Sequence, residues 1–468
     1  RESQGHTLLA IDSPATAAEL RTTIRSLAKQ NQLQYVVLVG DVRHARSDVS
    51  VVPTAYTKAQ INVRWGSEPT IATDQLYADL DDDSIPDVAV GRIPAHSPSE
   101  LSAVVRKILR YEQQADEGMW RRHVDIVAGV GGFGAVTDAL VEAAGRSVIR
   151  ETVPASYDVT PTFASSVNPA SPPPDQFTAY VCRQLSAGSF AWIYLGHGLP
   201  TALDSIHTSA GDQPILSTAD LPQLKCGANS PLAVLIACYT GAIDARSGCL
   251  AGDLALDEAG PVAVIAATRV TMPYGNAVFG CELLRACFND RPSTLGELWK
   301  SAQRRTLAGT PDDSLRKSLD ALASGLSPPP VDLAAECREH VLMYQLYGDP
   351  LLRLQYPHDL ELSTSSDAAA GKALTVNGQS DVAGDCTIEL VADRGSSSSL
   401  ATAATTTLPV TPGPFHAALS LPQDTVGQYT IRAFVAGRSE FALGATSVKV
   451  RQESATAIWR ATSGPAIK

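Results

Sequence analysis

Three short apolar runs, FAWIYL at residues 190–195, LAVLIA at 232–237 and VAVIAA at 262–267, constrain this chain more than any other feature. Each is far shorter than the roughly 18 residues a membrane-spanning helix needs and shorter than an ordinary buried helix. Apolar side chains at every position require cover on both faces, which is the pattern of central strands in a parallel sheet. The same rhythm is present earlier, where residues 7–11, 35–39 and 88–90 read as strands separated by amphipathic helices. The first helix is announced by Thr16 as N-cap and Glu19 three residues on, with Leu20, Ile24 and Leu27 at helical spacing. The second has Ser97 as cap, Pro98 in the first turn and Glu100 closing a capping box. Leu101, Val104, Val105, Ile108 and Leu109 then read as one stripe facing the core. Strand and helix in alternation predict an α/β fold, a parallel-rich sheet between two helical layers.

A second cycle opens with a strand at 124–127, a glycine-rich turn at 129–134 and a helix at 176–185. It closes with a helix at 331–345 followed by Tyr347-Gly348-Asp349-Pro350. Beyond residue 357 the period changes to two: strands are expected at 360–363, 373–376, 387–391, 416–421, 429–435 and 446–450, an all-β sandwich. Residues 396–407 read as a flexible loop or weak edge strand. The expected organisation is an N-terminal α/β subdomain at 1–122, a second at 123–356, the sandwich at 357–452 and a loosely held tail at 453–468.

Composition limits the partners. With 37 basic and 49 acidic residues the net charge is −12, which gives no electrostatic footprint for nucleic acid. No run is long enough for a membrane span. The chain opens at Arg1-Glu2-Ser3 without an initiator Met, so a pro-segment or targeting segment ahead of it is expected. Eight cysteines, 182, 226, 238, 249, 281, 287, 337 and 386, are too sparse for a disulfide scaffold and include no Cys-x-x-Cys pair.

Two of the buried runs end in reactive residues. His197 follows the first in Leu195-Gly196-His197-Gly198, and Cys238 follows the second in Ala237-Cys238-Tyr239. Ligands of open α/β sheets collect outside the carboxyl ends of the strands, so neighbouring parallel strands would bring a nucleophile and a base to one rim. A lone cysteine at a strand end is usually a small hydrophobe and a lone Gly-His-Gly usually a turn; the pair together is the more specific signal. The N–H groups of Gly198 and Cys238 are candidate oxyanion donors. Gly196, Tyr239, Thr268 and Arg269 are candidate pocket residues, Arg269 as a cation that would favour an acidic side chain.

On the blocks FAWIYLGHG and LAVLIAC the chain resembles the gingipain-type cysteine endopeptidases of the caspase-like clan. Similar blocks occur at 35–41, 73–78, 79–83, 85–93 and 347–350, so the resemblance covers roughly 7–356. It implies a caspase-like catalytic domain of two subdomains followed by an immunoglobulin-like sandwich. It further implies His197 as general acid/base, Cys238 as nucleophile, a thioester acyl-enzyme and no catalytic cofactor. Polypeptide substrates, a pro-segment or other protein bound at the active site, and an extracellular, cell-surface or periplasmic bacterial setting follow from the same resemblance. Gingipains prefer Arg or Lys through a pocket acid, but none of Asp138, Glu142, Glu151 or Asp158 matches it by motif.

Asp79, Asp81 and Asp83 alternate, with Asp87 four residues on, and such crowded carboxylates suit Ca²⁺. The loop is not an EF-hand, since Ser84 and Val90 replace the required Gly and Glu; a solvated acidic turn is the competing reading. The glycines at 129–134 lack nucleotide-loop spacing and are expected to form a mobile loop near the rim. Cys281 and Cys287 are expected to pack in the core or form an occasional disulfide, and His207 and His340 to be structural or surface residues. Two other functions stay open: an inactive binding or adhesion protein on the same fold, and a self-processing or transpeptidating enzyme with the same acyl-enzyme.

Overall fold

The computed structural model describes residues 1–30, 32–42, 51–113, 118–131, 145–164, 171–309, 312–326, 331–392 and 402–452. The chain divides into two compact units, Arg1–Tyr356 and Pro357–Lys468.

The first unit is built on an eight-stranded sheet: β1 (Tyr35–Val39), β2 (Ala89–Ile93), β3 (His123–Ala128), β4 (Asp158–Phe163), β5 (Ala191–Leu195), β6 (Leu232–Ile236), β7 (Ala263–Ala267) and β8 (Tyr344–Tyr347). The spatial order is β1-β2-β8-β7-β6-β5-β3-β4. Strands β7, β6, β5, β3 and β4 are mutually parallel, β8 runs antiparallel to β7, and β1 and β2 are parallel to β8. All five residues of β6 and of β7 are buried, as uninterrupted apolar runs demand. Strands from before and after residue 122 share this sheet, meeting through one register pair, Arg92 with Tyr347. Residues 7–11 form no strand, and Leu8, Leu9 and Ile11 are exposed.

Helices α1 (Ala17–Gln30), α2 (Pro98–Gln113), α3 (Phe177–Ala187), α4 (Leu250–Leu256), α5 (Pro273–Arg285), α6 (Leu295–Ala308), α7 (Ser314–Leu326) and α8 (Leu333–Met343) belong to this unit. The α1 capping box forms, Thr16 N–H donating to Glu19 and Glu19 N–H to Thr16 Oγ1, both at 3.2 Å. In α2 the cap is only half the expected one. Ser97 Oγ accepts from Glu100 N–H, but Glu100 accepts from the N–H of His96 instead of that of Ser97. The α2 stripe is also rotated: Val104, Lys107, Ile108 and Tyr111 are buried, while Val105 and Leu109 are 43 % and 44 % exposed. Lys107 is drawn inward because its Nζ donates to Ala255 O and Asp257 O, both at 2.7 Å, capping the end of α4. Helix α8 stops at Met343, and Tyr344 and Gln345, expected in the helix, begin β8 opposite Ala267 and Ala266.

The second unit is a sandwich. A six-stranded sheet containing Gly384–Ala392, Thr402–Val410, Gly427–Ala436 and Phe441–Arg451 faces a three-stranded sheet of Glu361–Thr364, Ala373–Ser380 and Gly413–Ser420. Val376 and Leu419 from one sheet and Cys386, Ile388, Ile431 and Val448 from the other share its core. Thr402–Val410 is an edge strand, and the tail from 453 lies outside the described residues.

Candidate active site

Strands β5 and β6 pair in parallel with Leu195 opposite Ile236, and Gly196 N–H continues the ladder to Ile236 O at 3.3 Å. His197 and Cys238 each lie two residues past that last pair, so chain direction and register bring both to the carboxyl rim. Glycine is required on either side of His197. A Cβ at position 198 would lie 2.6 Å from Cys238 O and 2.7 Å from Thr240 Cγ2, and one at 196 would lie 2.5 Å from Tyr194 Oη. The two loop ends are therefore in van der Waals contact through backbone.

His197 is exposed, with Nε2 3.2 Å from Gly131 O, and its carbonyl accepts from Tyr194 Oη at 3.0 Å and Asp204 N–H at 3.1 Å. Gly131 therefore belongs to the rim, while 132–134 lie outside the described residues. Cys238 is half-buried. Its Sγ accepts from Thr271 N–H at 3.3 Å and lies 3.6 Å from Thr271 Oγ1 and 3.7 Å from Thr271 O. Past the thiol the chain turns sharply: Tyr239 has φ 60°, and Thr240 N–H returns to Cys238 O at 2.7 Å. Among the described residues, Cys238 N–H donates to no backbone carbonyl.

Seven of the eight cysteines are buried, and Cys238 is the one that is not. Burial pushes Cys182 up to about 11 and Cys226, Cys281, Cys287 and Cys386 up to about 12, which keeps those thiols protonated and inert.

The expected pocket residues separate into two kinds. Tyr239 adjoins the thiol and donates its phenol to Glu68 at 3.0 Å; burial first, and then Glu68, raise that phenol's pKa. Thr268 is wholly buried, with Oγ1 donating to Ala72 O at 2.8 Å. Arg269 is 4 % exposed and committed to Asp244 through two bonds of 2.9 and 2.7 Å, and to Thr70 O at 2.8 Å. Burial alone would raise the Asp244 carboxyl, but the Arg269 hydrogen bonds and charge outweigh it and hold it below the ordinary carboxylate value. Arg269 offers the rim no free cation. Of the acids considered for the pocket, Asp158 sits at the amino end of β4 beside His123, and Glu151 accepts from Ser147. Asp138 and Glu142 lie outside the described residues.

In the acidic loop, carboxylate oxygens of Asp79, Asp81 and Asp87 lie within 4.8 Å of one another. Asp83 is not among them; it caps Ile85 N–H at 2.7 Å. Asp82 and Ser84, at φ 73° and 69°, wrap the loop around these oxygens. Asp82 itself turns to Arg25 at 2.7 Å and Arg21 at 3.1 Å, and the Arg25 hydrogen bond lowers its pKa. Three hard oxygen donors on one loop fit a calcium ion better than a softer metal.

Sequence reasoning missed Thr271, past the end of β7, which touches Cys238 Sγ, and Asn276 of α5 and Tyr344 of β8, which are hydrogen-bonded in line behind it. No spacing signal joins residues so far apart.

A thiol and an imidazole at one rim of a parallel-rich α/β sheet are the arrangement that a thiol-dependent hydrolase of three-layer architecture would need. The chain belongs to peptidase family C25, whose model matches residues 7–355, and is thereby a cysteine-type peptidase. Among solved structures, that titled the Arg specific cysteine proteinase gingipain R is 18 % identical with a TM-score of 0.52, over 94 % of this chain and 90 % of that one. A complex of Porphyromonas gingivalis RgpB pro- and mature domains is 17 % identical with a TM-score of 0.52, over 94 % and 91 %. These likenesses establish the gingipain caspase-like fold. An uncharacterized protein of Archaeoglobus fulgidus is 30 % identical over 204 residues, 40 % of this chain and 43 % of that relative. The chain thus spans under half the length of that curated relative. No described helix is long and apolar enough to cross a membrane.

Proposed function

We propose that the protein is an endopeptidase in which Cys238 Sγ attacks the scissile carbonyl carbon and His197 acts as general base and then general acid. The observation that carries this reading is the in-register placement of the two residues past the Leu195–Ile236 pair, with Gly198 packed on the Cys238 carbonyl. The thiol proton passes to the imidazole as the C–S bond forms, and the imidazolium returns it to the leaving amine, giving a thioester. Water, deprotonated by the same imidazole, releases the second product. The Cys238 N–H, which donates to no backbone carbonyl among the described residues, is suited with that of Gly198 to receive the developing oxyanion. Tyr239 and Gly196 border the substrate position, with Thr268 and Arg269 as fixed wall behind them.

An extracellular or cell-surface setting, and a pro-segment that covers the rim, are parts of the same reading, supported by family membership and by the neighbouring complex of pro- and mature domains. We also propose a structural calcium ion held by Asp79, Asp81 and Asp87, with no part in the chemistry. The deciding experiment uses Cys238→Ala and His197→Ala with a denatured protein as substrate. Both variants should fold normally and lose cleavage by three orders of magnitude or more. Undiminished cleavage by either overturns the mechanism, and ligated instead of hydrolysed products would point to transpeptidation.

A further inference from the structure

Among the described residues, Cys238 Sγ has its hydrogen-bond partners on Thr271, which follows β7 by four positions. Sulfur lies 3.3 Å from its N–H, 3.6 Å from its Oγ1 and 3.7 Å from its carbonyl. A threonine hydroxyl has one hydrogen and two lone pairs, so what it offers sulfur depends on its other partner. That partner is Asn276 on α5, whose Nδ2–H donates to Thr271 Oγ1 at 2.8 Å. Asn276 Oδ1 in turn accepts from Tyr344 Oη at 2.8 Å, at the start of β8. Tyr344 is fully buried; burial first, then the neighbouring Cys238, raise its phenol well above its ordinary pKa, so it stays a donor.

Hydrogen-bond direction is thereby fixed along the chain. The phenol donates to the amide oxygen, the amide nitrogen to the hydroxyl oxygen, and the hydroxyl hydrogen is left for sulfur. We infer that Thr271 is a further catalytic residue, its N–H and Oγ1–H both holding the Cys238 sulfur once the thiol proton has gone to His197. Asn276 and Tyr344 are positioning residues that act through it. This rests on Cys238 being the nucleophile. The relay transfers no proton; it orients sulfur and supplies two donors to the thiolate, which pass to the thioester sulfur as the C–S bond forms. The loop is pinned for the task, since Met272 N–H donates to His340 Nε2 at 3.0 Å and Gly275 N–H to Glu336 Oε1 at 2.8 Å.

The test reads Cys238 directly, as the rate of alkylation by iodoacetamide at pH 7 followed by peptide mass, alongside kcat and KM for a peptide substrate. Thr271→Val keeps shape and N–H but removes the hydroxyl. It should slow alkylation and kcat about tenfold with KM nearly unchanged, and Thr271→Ser should restore both to within about threefold. Asn276→Asp, which accepts from the hydroxyl instead of donating to it, should match Thr271→Val. Tyr344→Phe should cost about threefold alone and nothing further when added to Thr271→Val. A folded Thr271→Val with wild-type alkylation and kcat overturns the inference, as does a harmless Asn276→Asp. If Cys238→Ala abolishes cleavage while Thr271→Val changes nothing, only this inference fails; if Cys238→Ala cleaves normally, the proposed mechanism itself has failed.

Discussion

Position 198 is where the identity of a single residue decides whether the rim can assemble. A methyl group there would meet the carbonyl of Cys238 at 2.6 Å and the Cβ of Ala237 at 2.9 Å, and backbone cannot swing aside as a flexible side chain would. Gly198→Ala must therefore displace either the imidazole loop or the thiol turn. The expected outcome is a protein that keeps its circular dichroism but loses at least tenfold in kcat/KM, since displacement of about 1 Å commonly costs that much or more. Unchanged kcat/KM would mean the two loops are not in contact. His197 and Cys238 were legible in the sequence because run length gave the strand ends and parallel order gave the common rim. Thr271 was not, because only the β6–β7 pairing and the start of α5 bring it to sulfur. Arg269 was misleading for a related reason: the sequence displays its charge and hides Asp244, the carboxylate that neutralises it.

Among the elements, α8 shows how much a helix can hold that its pattern does not announce. Its buried acids accept backbone N–H groups from two other segments, Glu339 from Gln60, Ile61 and Asn62 and Glu336 from Gly275 in the first turn of α5, and backbone partners leave no trace in spacing. His340, expected to be structural, is wholly buried among them. Its Nδ1 donates to Glu336 O at 2.8 Å and its Nε2 accepts from Met272 N–H, so it must be neutral to do its work. Burial pushes it from 6.5 down to about 4. Between those values the unfolded chain binds more protons than the native one, so stability is fully present above about pH 6.5 and falls as the pH drops toward 4. The contribution is on the order of 3 kcal/mol. Asp125 works against it: burial raises its carboxyl to about 6, so its contribution is present below about 4 and lost as pH rises through 6. Glu336, also raised by burial, has the sign of Asp125. The summed profile therefore masks His340, and the comparison with His340→Gln isolates it. Urea unfolding at pH 7 and pH 4.5 should give a smaller loss for the variant than for the native chain; equal losses would exclude His340 as a titrating group. The rotated stripe of α2 has a similar cause, a buried lysine whose two carbonyl partners lie at the end of α4.

Across the whole molecule the layer architecture was readable from alternating periods, whereas the continuity of the sheet was not. Its two parallel blocks run in opposite directions and meet at β7 and β8, and the strand that joins them to β2 comes from residues far later in the chain. Sequence order suggested two subdomains divided at 122, and strands from both sides of that residue pair within one sheet. Charge is likewise a property of the whole: five of the 49 acids crowd the loop 79–87, where Asp79 and Asp82 pair with Arg21 and Arg25 of α1 and Asp87 lies 3.8 Å from Arg304 of α6. A dication there would relieve repulsion and tie the loop between α1 and β2, stabilising the native state by mass action. With calcium at about a hundred times its dissociation constant the gain is roughly 2.7 kcal/mol, which for a unit of this size corresponds to a rise of a few degrees in melting temperature. Melting in 1 mM calcium should therefore exceed melting in excess chelator by that margin, at matched ionic strength so that screening alone cannot produce it. Magnesium should not substitute, because its small octahedral shell retains water where calcium takes several carboxylates. Asp79→Asn should abolish the difference, since Asp79 is the most buried of the three carboxylates and also accepts Asp82 N–H at 2.8 Å. An identical melting temperature with and without chelator would leave the loop as an acidic turn, offset in part by Arg21, Arg25 and Arg304.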